Sequence, residues 1–212
     1  MVLVVNITPV MYTDITGYIP EWLETTLATI GVALVVVAVV ALAVSTGGIA
    51  GAGFMAVAFS TGFGAVKSGY SAYKDGTSIA AGILSGGIKG AAIGTAIGLG
   101  IMTGGGAFSG LGALGAFGTV LGANFVGGML SYTVDASMNG RNLGFSQAIR
   151  TGIIQTVSGA FAFGAGFLIG ASGFYNIPGQ NISFAQYIGN ASAGLLFKGV
   201  YYYAIDAVLQ MM

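Results

Sequence analysis

The stretch IAAGILSGGIKGAAIGTAIGLG, residues 79–100, decides the fold of this chain. Five glycines recur within it at a strict spacing of four residues: Gly82, Gly86, Gly90, Gly94 and Gly98. Residues four apart lie on one face of an α-helix, so the five glycines form a flat stripe about 24 Å long at 1.5 Å per residue. We predict a helix that packs closely on another helix through this stripe.

The free-energy cost of such a stripe indicates whether its helix lies in water or in lipid. Each glycine destabilises a soluble helix by roughly 1 kcal/mol relative to alanine. In a bilayer, Gly-x-x-x-Gly surfaces let two backbones approach, and the resulting packing supplies association energy. One such match is expected by chance in a chain with 39 glycines, whereas five in register are not. The stripe therefore favours helices that associate in lipid.

The composition of the whole chain supports a membrane environment. Among 212 residues only 6% are charged and 55% are hydrophobic, and the mean hydropathy is +0.90. Soluble domains carry about 25% charged residues, which keep their surfaces dispersed in water. The six basic and six acidic residues of this chain cannot cover a globule of its size.

The first membrane span is predicted directly after an irregular leading segment, residues 1–20. Pro20 and the acids Glu21 and Glu24 suit a helix start, and no charge follows over residues 25–44. About 20 apolar residues cross a hydrocarbon core of roughly 30 Å. The alternative is the central helix of a soluble bundle, and we favour the membrane span because the run is apolar on every face. Four aromatic residues are placed as interfacial anchors would be: Trp22, Tyr201, Tyr202 and Tyr203.

The rest of the chain alternates uncharged, glycine-rich stretches with two polar islands, residues 67–78 and 135–150. We predict an all-α fold of five or six helices paired as hairpins, in one membrane-active domain that covers residues 21–212. Further helix-packing pairs are expected from the same glycine spacing: Gly106 with Gly110, Gly118 with Gly122, and Gly166 with Gly170.

Lys89 is the one charged residue inside the glycine stretch. Within a membrane such a residue can line a pore, reach the interface with its long side chain, or mark a helix end. A solvent-facing lysine on an interfacial helix is the alternative. We take Lys89 as the candidate pore-facing charge.

Several classes of function lack the residues they need. Histidine and cysteine are absent, which removes histidine acid–base chemistry and thiolate metal sites. The only close pair of acids, Glu21 and Glu24, is explained by the helix start. No Gly-Lys-Ser/Thr phosphate loop occurs, and a net charge of zero gives nucleic-acid binding no support. We expect no enzyme activity, no cofactor, no metal and no nucleic-acid partner.

Three further segments carry a resemblance to a known family: DITGYIPEWL at 14–23, GASGFYNIPG at 170–179 and FKGVYYYAID at 197–206. Together with the glycine-rich hairpins, their order resembles the hydrophobic carboxy-terminal region of bacterial polymorphic toxins. The toxins that it resembles are of the LXG (type VII secreted) and Rhs kinds. The resemblance extends from about residue 12 to residue 210, nearly the whole chain.

The resemblance implies a pore-forming, membrane-depolarising antibacterial toxin. Such a protein is secreted by its producer, acts as a homo-oligomer in the lipid bilayer of a target cell, and has a cognate immunity protein. In contrast to the larger toxins, the sequence shows neither an amino-terminal secretion domain nor a catalytic module after Asp206. The lack of a catalytic module favours the permeabilising function. Two alternatives stay open: a passive translocation segment of a larger toxin whose cargo is absent, and a resident, holin-like membrane protein.

Overall fold

The computed structural model describes residues 21–46, 48–108 and 110–172. Within them the chain forms five helices: α1 Glu21–Thr46, α2 Gly48–Asp75, α3 Ile79–Gly104, α4 Leu111–Met138 and α5 Phe145–Ala171. These ranges contain no strand, so the predicted all-α fold is confirmed for the described residues. The leading segment and the carboxy-terminal 40 residues lie outside them.

Short connections join α2 to α3 and α4 to α5 as antiparallel hairpins, as in other helix bundles. α3 is the central helix and contacts each of the other four. Of the residues of α3 that could span a membrane, 61% are buried inside the protein. The corresponding share is 6% for the candidate span Trp22–Leu42 of α1. All five helices are long and apolar enough to cross a membrane.

The polar islands are less loop-like than their composition indicates. α2 continues through Lys67 and Lys74 and ends only at Asp75. Gly76 has a φ of +66°, a left-handed conformation that commonly terminates helices at glycine. In the second island, α4 likewise continues to Met138 before the loop of residues 139–144. Most of the charged residues of the islands are therefore helical.

The two islands lie at the same end of the bundle and are tied together by Asn139. The backbone N–H of Ser78 donates a hydrogen bond to Asn139 Oδ1, at 2.8 Å. Asn139 Nδ2 in turn donates to the main-chain oxygen of Asp135, at 2.8 Å. Ser78 caps α3, since its Oγ accepts a hydrogen bond from the N–H of Ala81. One asparagine thus fixes the end of α4 against the start of α3.

We expect Asn139→Ala to lower the free energy of unfolding by about 1 kcal/mol, the usual net contribution of an intramolecular hydrogen bond. Asn142→Ala is the matched control, because the exposed Asn142 lies in the same loop. Reversible unfolding in detergent micelles, followed by circular dichroism, measures both. Equal stability of the two variants would show that the Ser78–Asn139 bond does not hold the loops together.

Candidate functional site

The glycine stripe of α3 is buried along its whole length. It faces α2: a Cβ atom added to Gly82 would lie 2.6 Å from the main-chain oxygen of Ser68, and one on Gly98 would lie 2.5 Å from that of Gly53. Cβ atoms at the three glycines between them would also come within 3.0 Å of α2. Backbone cannot move aside as a side chain can, so only glycine fits these positions.

A second stripe of small residues on α2 opposes the first. Each step of four residues along α3 is matched by a step of about four in the opposite direction along α2, which is an antiparallel register without slippage. The opposed pairs are Gly53 with Gly98, Ser60 with Gly90, Gly64 with Gly86, and Ser68 with Gly82. Sequence reasoning missed this stripe because serine stands in for glycine at two positions, which weakens the spacing signal.

A different face of α3 packs on α5 through glycines from both helices. Cβ atoms added to Gly100 and Gly104 would come within 3.0 Å of the main-chain oxygens of Phe163 and Phe167 in α5. Those added to Gly166 and Gly170 would approach the oxygens of Ile97 and Ile101 in α3 equally closely. The structure therefore places the predicted pair Gly166 and Gly170 in a parallel helix contact, together with Gly100 and Gly104 of α3, for which the sequence had predicted no packing role.

The predicted pair Gly106 and Gly110 requires a correction. Both lie in the loop between α3 and α4, with φ angles of +84° and +53°. Glycine adopts this region without steric cost, and a Cβ at either position would meet nothing within 4 Å. These two glycines allow the chain to turn and do not pack helices together.

Gly118 and Gly122 lie on the exposed side of α4, which we name the α4 outer face: Leu111, Gly115, Gly118, Gly122 and Val126. A Cβ added to any of its three glycines would meet nothing within 4 Å. Leu111 and Val126 are exposed. This predicted zipper therefore has no partner helix among the described residues.

Two buried amides, which sequence reasoning missed, join α4 and α5 to the middle of α3. Asn124 Nδ2 donates to the main-chain oxygen of Ala92, at 3.1 Å, and Gln155 Nε2 donates to that of Lys89, at 3.2 Å. In lipid, such interhelical hydrogen bonds from polar side chains hold helices together. Asn124 Oδ1 has no hydrogen-bond partner within the described part of the chain, and Gly159 of α5 lies directly against this carboxamide.

Lys89 lies about 15 Å along α3 from Ile79, at ten residues of 1.5 Å rise, and is half-buried. Among the described acidic residues none forms an ion pair with it. Side chains of a helix lean toward its amino terminus, which for α3 is the end that carries the polar islands. This geometry suits a lysine that extends its ammonium group toward that end; a pore-facing role stays a prediction.

The predicted interfacial aromatics are described only in part. Trp22 is exposed in the first turn of α1, next to Glu24, as an interfacial anchor would be. Tyr201, Tyr202 and Tyr203 lie outside the described residues.

The features found in the described residues are contacts between helices. The described residues contain no group of three or more His, Cys, Asp or Glu side chains that could hold a metal ion. No family model, curated protein or solved structure matches the chain. The features of the described residues that bear on function are the packed glycine contacts, the buried amides and the apolar surface.

We expect Gly90→Ala to destabilise the bundle by about 1–3 kcal/mol, the usual cost of overpacking, because the added methyl group would collide with the Ser60 backbone. Gly164→Ala is the matched control: it also lies within a helix and outside the α4 outer face, and its new Cβ meets no atom within 4 Å. It should stabilise the protein by up to about 1 kcal/mol through helix propensity. Unfolding in detergent micelles measures both, and a tolerated Gly90→Ala would disprove the close α2–α3 contact.

We expect Asn124→Ala to cost about 1–2 kcal/mol, from one interhelical hydrogen bond and a small cavity. Thr119→Ala on the same helix is the control, because its exposed hydroxyl bonds only within α4. The free energy of unfolding in micelles is the measurement. A loss for Thr119→Ala as large as that for Asn124→Ala would remove the special role of the buried amide.

Proposed function

We propose that this protein inserts into a lipid bilayer and permeabilises it as a homo-oligomer, in the manner of a pore-forming, membrane-depolarising antibacterial toxin domain. The observation that carries the proposal is the set of five consecutive helices long and apolar enough to cross a membrane. No candidate metal-binding cluster among the described residues competes with it as a site.

The outward surface of the bundle supports lipid as the solvent of these helices. Along α1 the side chains of Leu27, Leu34 and Val37 are exposed, and on other helices so are Val66 and Phe161. Soluble monomers rarely expose contiguous apolar patches of more than a few hundred Å². In hydrocarbon the exposure of the same apolar surface costs no free energy, and each helix satisfies its own backbone hydrogen bonds.

Oligomerisation is proposed through the α4 outer face. The stripe from Gly82 to Gly98 is occupied by α2 of the same chain and is not open to a second copy in this arrangement. The α4 outer face presents Gly115, Gly118 and Gly122 with open space above each. Exposed glycines of this kind allow close approach of another helix in lipid.

The biological setting is proposed from the family resemblance. The protein would be secreted by a producer cell, act in the membrane of a target bacterium, and be neutralised in the producer by an immunity protein. The runner-up functions, a passive translocation segment and a resident holin-like protein, lead to different results in the experiments below.

Dye release from vesicles of equal parts phosphatidylcholine and phosphatidylglycerol tests the proposal. We expect the wild-type chain to release dye and Gly118→Leu to reduce the rate about tenfold, since 1.4 kcal/mol of lost association corresponds to a factor of ten. Gly164→Leu is the matched control, an exposed helical glycine of α5 that also faces open space. Its rate should equal that of the wild type.

Three results would change the proposal. Equal rates for both variants would exclude the α4 outer face as the oligomer contact. Recovery of the protein in the vesicle membrane without release of dye would favour the translocation segment. Periplasmic expression that leaves the membrane potential and growth of bacteria unchanged, read with a voltage-sensitive dye, would favour a resident membrane protein.

A further inference from the structure

The charged residues of the described chain are segregated to one end of the bundle, which we name the charged end. It comprises the start of α1, the turn Gly76–Ser78 and the loop of residues 139–144. Measured along the helix axes at 1.5 Å per residue, Lys67 lies about 12 Å from this end, Arg150 about 7 Å, and Lys89 about 15 Å. Every other Asp, Glu, Lys or Arg in residues 21–46, 48–108 and 110–172 lies closer to it.

The opposite end, which we name the uncharged end, contains no charged residue among those described. It comprises the junction of α1 with α2, the loop between α3 and α4, and the end of α5. Large apolar side chains are exposed there: Leu111 at 87%, Leu114 at 68% and Leu168 at 70%. The loop between α3 and α4 lies within an uncharged run of 45 residues, 90–134.

The two ends therefore differ sharply in what a bilayer would demand of them. A Lys, Arg, Asp or Glu that crosses the hydrocarbon core is costly unless it is paired or hydrated. To cross with the charged end leading, the bundle would have to carry Lys74, Arg141 and Arg150 through lipid. With the uncharged end leading, the described residues that have to pass are short glycine-rich connections and apolar side chains.

The position of Lys89 also favours the uncharged end as the leading end. It lies at mid-depth on α3, and side chains of a helix lean toward its amino terminus, which is at the charged end. The long lysine side chain can extend its ammonium group toward an interface, so Lys89 does not require the charged end to move into the membrane.

We propose that the uncharged end enters the bilayer first and reaches its far side, with the loop between α3 and α4 at its tip, while the charged end stays on the side from which the protein arrives. This inference rests on the proposed membrane insertion and adds its direction. The surface that meets lipid first is the tip formed by Ala107, Phe108 and Leu111, all of them exposed.

The absence of cysteine from the sequence makes the test direct. Single-cysteine variants Ala107→Cys, at the uncharged end, and Asn142→Cys, at the charged end, both lie at exposed loop positions. Each variant is diluted from detergent into vesicles of equal parts phosphatidylcholine and phosphatidylglycerol, and dye release is recorded in parallel. A polyethylene-glycol maleimide much larger than the dye, and so excluded from a pore that the dye can cross, is supplied either outside or trapped in the lumen.

We expect Ala107→Cys to react with the trapped reagent and Asn142→Cys with the external one. A second pair of variants tests the physical cause. Ala107→Lys should slow dye release about tenfold, because its new charge must cross the hydrocarbon, whereas Asn142→Lys should leave the rate unchanged.

Other outcomes separate the direction of insertion from insertion itself. Dye release with Ala107→Cys labelled only from outside, or with Asn142→Cys labelled from the lumen, would overturn the proposed direction and leave the permeabilising function intact. Dye release that Ala107→Lys and Asn142→Lys slow equally would remove charge as its cause. Sealed vesicles with both cysteines labelled only from outside would overturn the direction and the function together.

Discussion

Main-chain atoms of α2 and α3 touch along most of the length of both helices, and this contact requires hydrogen in place of a side chain at every fourth residue of α3. Close approach of two backbones increases dispersion contacts and brings Cα–H groups near opposing carbonyl oxygens. With one face of α3 taken by α2, its other faces remain for α1, α4 and α5. The central place of α3 in the bundle follows from these contacts.

The remaining contacts become less specific with distance from α3. Glycines and two buried amides hold α4 and α5 against it. α1 offers mostly aliphatic side chains to its surroundings and has little of its surface buried. In lipid, apolar side chains gain nothing by leaving the solvent, so association depends on shape and hydrogen bonds. Helices α2 to α5 have both, and α1 has neither to the same degree.

Much of this architecture could be predicted from the sequence. The glycine spacing placed the stripe from Gly82 to Gly98 on one face, and the uncharged runs placed the long helices. The spacing could not distinguish glycines that pack from glycines that turn, since Gly106 and Gly110 are also four apart yet have positive φ angles. The glycine spacing also could not reveal Asn124 or Gln155. Whether a buried amide stabilises the fold depends on which main-chain carbonyl of another helix lies within hydrogen-bond distance.

The division between enclosed and open glycines has an evolutionary consequence. At Gly86 or Gly90 even alanine collides with backbone, so selection for a folded bundle alone would keep glycine there through long divergence. At Gly115, Gly118 and Gly122 the fold of one chain tolerates any small side chain. Genetic drift should therefore replace those three glycines early in divergence, unless a requirement other than the fold of one chain maintains them.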